Sequence, residues 1–231
     1  MCGRYTYYSS SDLLKRYELS ESTKAQLELA LNLPDNYNVS PGNTMPVIIR
    51  GSLEHKIEFM CWGLIPSWAK DEKIGYKLIN AREETLLEKS TWKRLVKSKR
   101  CVVPARGFYE WKKLPDGTKQ PYYITLKGSD VMSFGGLYDE WHDASGELIM
   151  SYTIITTKPN AEMSAIHDRM PVILNKQRMD LWLEPNDLSQ AQMDDLLARL
   201  DDGSLEIVRV STNVNTARNN SSELIYPLAE S

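Results

Sequence analysis

Chemistry begins at the second residue. Cys2 carries a thiol, and removal of Met1 would leave an α-amine on the adjacent carbon. An α-amine titrates at about 7.7–8.0, so a useful fraction is neutral and nucleophilic near neutral pH, whereas a lysine at about 10.4 is almost wholly protonated. Such an amine condenses with an aldehyde to an imine. The neighbouring thiol can then add to the imine and close a five-membered thiazolidine, a step that proximity makes intramolecular. The plain alternative is that Cys2 is incidental to function. In an extended segment Arg4 falls on the same side as Cys2, and it suits either an anionic ligand group or a surface ion pair.

Gly107-Phe108-Tyr109-Glu110-Trp111 sets one carboxylate in an aromatic run. Strand alternation puts Phe108 and Glu110 on one face and Tyr109 and Trp111 on the other. A carboxyl among aromatics has its charged form disfavoured, which suits proton transfer; a partnership with a buried arginine is the competing reading. Ile166-His167-Asp168-Arg169-Met170-Pro171 gathers a histidine, an acid and an arginine ahead of a proline, which biases the segment to loop or strand entry. His167 can move protons near neutral pH or serve structure alone. His55 and His142 sit in polar stretches and read as surface residues. Trp62-Gly63-Leu64-Ile65-Pro66-Ser67-Trp68 is stiff and aromatic. Exposed tryptophans there would stack on bases; buried ones would be ordinary core. Asn80-Ala81-Arg82 offers an amide and a guanidinium at the lip of an expected helix.

The chain that must position these groups has 231 residues, 42% of them hydrophobic and 26% charged. This is globular composition, which excludes a disordered, collagen-like or coiled-coil protein. No apolar run approaches the roughly 18 residues of a membrane helix. The N-terminus runs into polar residues where a signal peptide would have its apolar centre, so an intracellular, cytoplasmic protein is expected, nucleoid-associated if bacterial. Three cysteines and three histidines show no zinc spacing, and neither metal nor cofactor is expected. Cys61 and Cys101 lie in apolar strand-like runs and read as core. Net charge is −3, yet residues 89–113 hold nine bases and only one acid, Glu110, whereas residues 180–206 hold eight acids and one base, Arg199. The basic stretch suits a phosphate backbone or a solvated helix face.

Strands are expected at Arg4–Tyr8, Met45–Arg50, Lys56–Trp62, Cys101–Pro104, Gly107–Trp111, Tyr122–Leu126, Val131–Tyr138, Leu148–Thr156 and Leu205–Val210. In the strand over Lys56–Trp62, Ile57, Phe59 and Cys61 alternate with Lys56, Glu58 and Met60. Asp116-Gly117 marks a hairpin turn. Helices are expected at Ser11–Glu18, Ser22–Leu31, Ala81–Lys89, Thr91–Lys97, Asn175–Leu183 and Leu188–Leu200. Strands bunched centrally with flanking helices give an α+β fold, and no composition break divides residues 1–231, so one domain is expected.

Cys2-Gly3-Arg4-Tyr5, Trp62-Gly63-Leu64-Ile65-Pro66, Asn80-Ala81-Arg82, Pro104-Ala105-Arg106-Gly107-Phe108-Tyr109-Glu110-Trp111 and His167-Asp168-Arg169-Met170-Pro171, in this order, resemble the SOS-response-associated peptidase (SRAP) family of abasic-site-processing proteins. The resemblance runs from residue 2 to 171, with a weaker echo at Val210-Ser211 and Val214-Asn215. It implies a β-barrel-like core with flanking helices and a basic groove for single-stranded DNA carrying abasic sites. It implies that Cys2, freed of Met1, captures the ring-opened aldehyde as a thiazolidine. Asn80 would position the reacting end, Glu110 would handle protons in imine formation, and His167 would assist ring-opening and crosslink chemistry. Arg4, Arg82 and Arg169 would hold phosphates, and Pro41 and Trp68 would block a duplex or stack on bases. A monomer without a membrane role is expected. Two other functions compete: a cysteine peptidase, for which removal of Met1 would itself count as activity, and a non-catalytic single-strand binding module.

Overall fold

The computed structural model describes residues 2–8, 16–17, 19, 24–51 and 54–229. Its strands are β1 (Arg4–Tyr7), β2 (Asn36–Val39), β3 (Thr44–Arg50), β4 (His55–Trp62), β5 (Asn80–Arg82), β6 (Arg100–Ala105), β7 (Gly107–Lys113), β8 (Lys119–Leu126), β9 (Met132–His142), β10 (Leu148–Thr157), β11 (Met170–Pro171) and β12 (Leu205–Arg209). Its helices are α1 (Lys24–Leu31), α2 (Ser90–Ser98), α3 (Ala161–Ser164), α4 (Lys176–Leu183) and α5 (Gln190–Leu197).

β-Branched runs, Val47-Ile48-Ile49 in β3 and Thr153-Ile154-Ile155 in β10, fit the pleated, buried surface of a strand. The order β10-β4-β3-β6-β9 closes on itself because β9 also pairs with β10. The result is a five-stranded mixed barrel, parallel only between β10 and β4. Closure removes exposed edges. Pro46 lies within β3 at no cost to the ladder with β6, since that ladder forms only at Ile48 and Ile49.

A second sheet, β12-β8-β7-β1-β2, lies against the barrel. Tyr5 of β1 meets the ring of Trp62 at 5.2 Å and Phe134 at 6.1 Å, and Phe108 of β7 meets Phe134 at 6.0 Å. The buried hydroxyls of Tyr5 and Tyr152 share a hydrogen bond of 2.8 Å across this interface, so neither is left unpartnered. The alternation expected of β7 is present. Phe108 joins the main core, while Tyr109 packs with Tyr123, Val210, Val214 and Leu224 in a separate cluster on the other face. The Asp116-Gly117 turn joins β7 to β8, with Gly117 at φ +84°.

Several expectations need correction. Residues 81–89 are not a helix. Asn80–Arg82 is a strand that pairs in parallel with Ile154–Thr156 of β10, followed by a 3₁₀ turn at Glu83–Thr85. Asn80 and Arg82 therefore sit on a strand, not at the lip of a helix. Cys101 is core, but Cys61 is only half-buried, and in β4 Met60 and Trp62 are buried although they have the opposite parity to Ile57. The strand is covered on different faces along its length. His55 is buried, its Nδ1 2.9 Å from the Tyr17 carbonyl. The helix expected at Ser11–Glu18 falls largely outside the described residues.

The basic stretch does not form one surface. Arg94 pairs with Asp139 and Lys99 with Glu140, both at 2.6 Å. Arg100 and Arg106 are buried and donate to backbone carbonyls of Trp182, Val96, Tyr8 and Asp130. The acidic stretch is likewise tied down, with Glu184 facing Arg50, Asp195 facing Arg178 and Asp202 facing Arg199.

Candidate active site

The site is assembled where the second sheet meets one rim of the barrel. β1 runs antiparallel to β7 with Arg4 opposite Tyr109. The chain before Arg4 therefore carries Cys2 toward Glu110 and Trp111. From the barrel, β10 presents two short strands near its C-terminal end: β5, with Thr156 opposite Arg82, and β11, with Thr157 opposite Met170. β5 supplies Asn80, and the turn entering β11 supplies His167 and Arg169.

Cys2 is fully buried. Its carbonyl accepts a hydrogen bond of 2.8 Å from Asn80 Nδ2, and its Sγ lies 4.0 Å from the Arg4 carbonyl. Burial, with the charge of Glu110 adding to it, pushes the thiol well above its ordinary range. This is the opposite of an activated thiolate, which needs a depressed pKa. The Asn80 side chain donates to Cys2 and keeps Oδ1 buried without a hydrogen-bond partner among the described residues. An unmet acceptor of this kind costs about 1–3 kcal/mol unless something donates to it.

Glu110 is buried, and desolvation raises its carboxyl above the usual glutamate range, while His167 opposes the shift. Its Oε2 stands 3.9 Å from His167 Nε2. The Arg169 amide donates to His167 Nδ1 at 3.1 Å, and Asp168 Oδ1 lies 3.0 Å from the same nitrogen. The amide needs a lone pair at Nδ1 and the carboxylate needs a proton there, so one protonation state cannot satisfy both. Asp168 is 84% exposed and well solvated, whereas the amide is fixed by the backbone. The amide therefore occupies Nδ1 and leaves Nε2 facing Glu110.

The four residues expected to carry the chemistry fall into two contacting pairs, Cys2 with Asn80 and Glu110 with His167, and the charge of Glu110 acts on Cys2. The expected phosphate ligands divide. Arg82 is exposed. Arg4 is half-buried and already donates to Asn38 Oδ1 at 2.8 Å and the Val214 carbonyl at 2.9 Å. Arg169 is 7% exposed. It makes a two-pronged pair with Glu84, at 2.5 and 2.9 Å, and donates to the Thr156 carbonyl at 2.6 Å. Pro41 lies in the turn between β2 and β3, and Trp68 stands on an exposed turn after β4. Sequence reasoning missed Glu84. The only signal was Arg82-Glu83-Glu84, two acids beside a base, within a stretch expected to be helical.

A closed barrel with a second sheet laid on it, and a cysteine, an amide, a carboxyl and an imidazole gathered at one rim, define the class. The chain belongs to the SOS response associated peptidase family, whose pattern matches residues 1–217. It is 43% identical over 231 residues to abasic site processing protein YoqW of Bacillus subtilis (strain 168), covering 97% of this chain and 99% of that protein. It is 33% identical over 265 residues to abasic site processing protein HMCES of Gallus gallus, covering 99% and 78% of the two chains. A solved structure of a protein from Bacteroides thetaiotaomicron superposes with a TM-score of 0.87 at 27% identity, over 99% of this chain and all of that one.

Proposed function

We propose that this protein processes abasic sites in single-stranded DNA by capturing them covalently at Cys2 once Met1 is removed. The α-amine of Cys2 attacks the aldehyde of the ring-opened sugar; the carbonyl oxygen leaves as water, giving an imine. The thiol then adds across the C=N bond, its proton passing to nitrogen, and the thiazolidine closes without loss of a further group. Arg82 offers the open guanidinium for a DNA phosphate, with Arg4 beside the reacting end. Arg169 reaches a phosphate only by giving up Glu84.

The observation that carries this reading is geometric: Cys2 is buried at the rim with its carbonyl held by Asn80, and Glu110 and His167 face each other beside it. Burial holds the thiol toward its protonated form, which suits the amine as the first nucleophile. Glu110, its carboxyl held toward the protonated form, can give a proton to the departing oxygen and take one back. His167 stands behind it to exchange that proton. Asn80 Oδ1 is an acceptor waiting for an N–H or O–H of the reacting pair.

The test is denaturing electrophoresis of protein mixed with single-stranded DNA bearing one abasic site. A denaturant-resistant adduct is expected, absent in Cys2→Ala and wherever Met1 is retained. Cys2→Ser should give an imine trappable with borohydride but no stable ring. An equally stable adduct from Cys2→Ala would sink the mechanism, and turnover of an added peptide without adduct would favour the peptidase.

A further inference from the structure

Beyond β12 the chain turns back over the outer face of the second sheet. A 3₁₀ turn at Thr212–Asn215 follows β12, and the Leu228 amide returns to the Arg209 carbonyl at 2.8 Å. Val210, Val214 and Leu224 pack with Tyr109 and Tyr123 on that face. Apolar packing is non-directional and fixes no register; hydrogen bonds do. They come from β2. Asn38 is 2% exposed, and its Nδ2 faces three carbonyls of the returning chain: Val214 at 3.2 Å, Thr216 at 3.1 Å and Asn219 at 3.0 Å. Carbonyls in irregular backbone need donors from elsewhere, and one buried amide serves all three. Beside it the Tyr37 amide donates to Asn220 Oδ1 at 2.8 Å, and Asn220 Nδ2 donates to the Asp35 carbonyl at 2.9 Å.

The same segment holds both strands that carry the capture chemistry. Cys2 packs into the main core, whereas Arg4, opposite Tyr109, sends its side chain to the outer face. There Arg4 Nη1 donates to Asn38 Oδ1 at 2.8 Å and to the Val214 carbonyl at 2.9 Å, with Nη2 3.5 Å from the Asn215 carbonyl. Asn215 Oδ1 in turn accepts the Trp111 indole N–H at 2.7 Å. Arg4 lies two residues after Cys2, and Trp111 directly follows Glu110. Asn38 therefore fixes the returning chain and Arg4 at once, and Asn215 ties the returning chain to the end of β7 that bears Glu110. Hydrogen bonds from a charged guanidinium are the strong kind, so Arg4 is a firm anchor. The reacting end is held at two points: Asn80 grips the Cys2 carbonyl from the barrel, and Arg4 is gripped on the outer face.

We propose that residues 211–220, latched by Asn38, form a positioning clasp for the capture chemistry, and that Asn38 and Asn215 are positioning residues that set the Cys2 amine against Glu110. This rests on the reading of Cys2 as the point of capture. The two asparagines act through Arg4 and Trp111 and not on the lesion itself. Their effect is on geometry, where a displacement of about 1 Å costs on the order of 10²-fold in rate.

The experiment measures the rate of adduct formation against the concentration of single-stranded DNA bearing one abasic site, with each protein shown by mass to have lost Met1. The proteins are the wild type, Asn38→Leu, Asn215→Ala, Asn215→Asp and Leu196→Ala, the last a main-core residue of α5 that controls for lost stability. Asn38→Leu should lower the maximal rate by at least about ten-fold, and Asn215→Ala by less, at an unchanged DNA concentration for half-maximal rate. Asn215→Asp keeps the acceptor for the Trp111 indole and should restore the rate. Leu196→Ala should lose stability and keep the wild-type rate while folded. Wild-type maximal rates in both Asn38→Leu and Asn215→Ala overturn the proposal. So does a loss that Leu196→Ala reproduces, or one seen only in the concentration dependence. If Asn38→Leu does not fold, the exposed Asn215 and its two variants decide alone. If the wild type forms no adduct, capture at Cys2 fails instead. The clasp is then judged by amide hydrogen exchange, where faster exchange along β1 and β7 in the asparagine variants supports it and unchanged exchange overturns it.

Discussion

The Cys2 rim and the loop of residues 63–79, which joins β4 to Asn80, lie next to each other and are built on opposite terms. At the rim Cys2 and Glu110 are buried, and burial sets their chemistry by raising both the thiol and the carboxyl. On the loop the aromatic and cationic groups face solvent while the backbone beneath them is pinned through Asp139, Trp141 and the close approach of Gly63 to Gly75. Burial tunes proton transfer but hides a group from a polymer; exposure offers contact. Under the capture proposed above, a site that reacts with one atom of a long strand needs both kinds of surface, a buried reacting rim and an exposed face beside it.

The largest effect that would separate the regions belongs to Glu110. Glu110→Gln should slow adduct formation by about 10²–10⁴-fold, the usual worth of general acid–base help, with DNA affinity unchanged. The same variant reads out burial in a pH series. A carboxyl raised on folding favours the folded chain fully below about pH 4.3, and this contribution is lost as pH rises through the raised value, because the folded chain binds more protons there than the unfolded one. The melting temperature of Glu110→Gln minus that of the wild type should therefore be larger at pH 7 than at pH 4. A difference flat in pH would show that the carboxyl is not strained by burial.

The arginines give the next contrast. Arg169→Ala removes a donor from the buried Thr156 carbonyl and strands Glu84, so it should cost about 1–3 kcal/mol, read by denaturant unfolding. Through the Arg169 segment it should also disturb His167 and change the rate at which a formed adduct is released. Arg82→Ala should leave stability alone and instead flatten the salt dependence of single-strand binding, by roughly 0.7 in slope if one phosphate contact is lost. If Arg169→Ala flattens the slope equally and unfolding is unchanged, Glu84 gives way to DNA, and the division between the two arginines is wrong.

Much of this could be read in the residues, and what could not has a common cause. The run of strands, the turn at Asp116-Gly117 and the face shared by Phe108 and Glu110 follow from local pattern and are present. Ala81 and Arg82 looked helical because their strand character comes from pairing with Ile155 and Thr156, more than seventy residues away. The basic stretch looked like a surface because its partners Asp139 and Glu140 lie outside it. The same blindness hid Glu84, whose role exists only through Arg169. Residue types announced Cys2, Glu110 and His167 individually; that Glu110 meets His167 is a fact of two sheets coming together.

The smallest expected effect is the sharpest test of whether the loop's aromatics serve the fold. Trp62 and Trp68 are six residues apart, and one is 1% exposed while the other is 61% exposed. Trp62 stacks on Tyr152, meets Tyr5 and donates to the Ile79 carbonyl. Its replacement by alanine should cost about 3–5 kcal/mol, the range for a large aromatic removed from a core. Trp68→Ala removes a side chain from solvent and should change unfolding free energy by no more than about 0.5 kcal/mol. The pins that hold the loop, through Asp139, Trp141 and the paired glycines, do not pass through the Trp68 ring. Its backbone should therefore stay in place when the ring is gone. Parallel chemical denaturation of the two variants decides it: a large loss of stability in Trp68→Ala would make that ring a structural plug rather than the base-stacking surface expected of it.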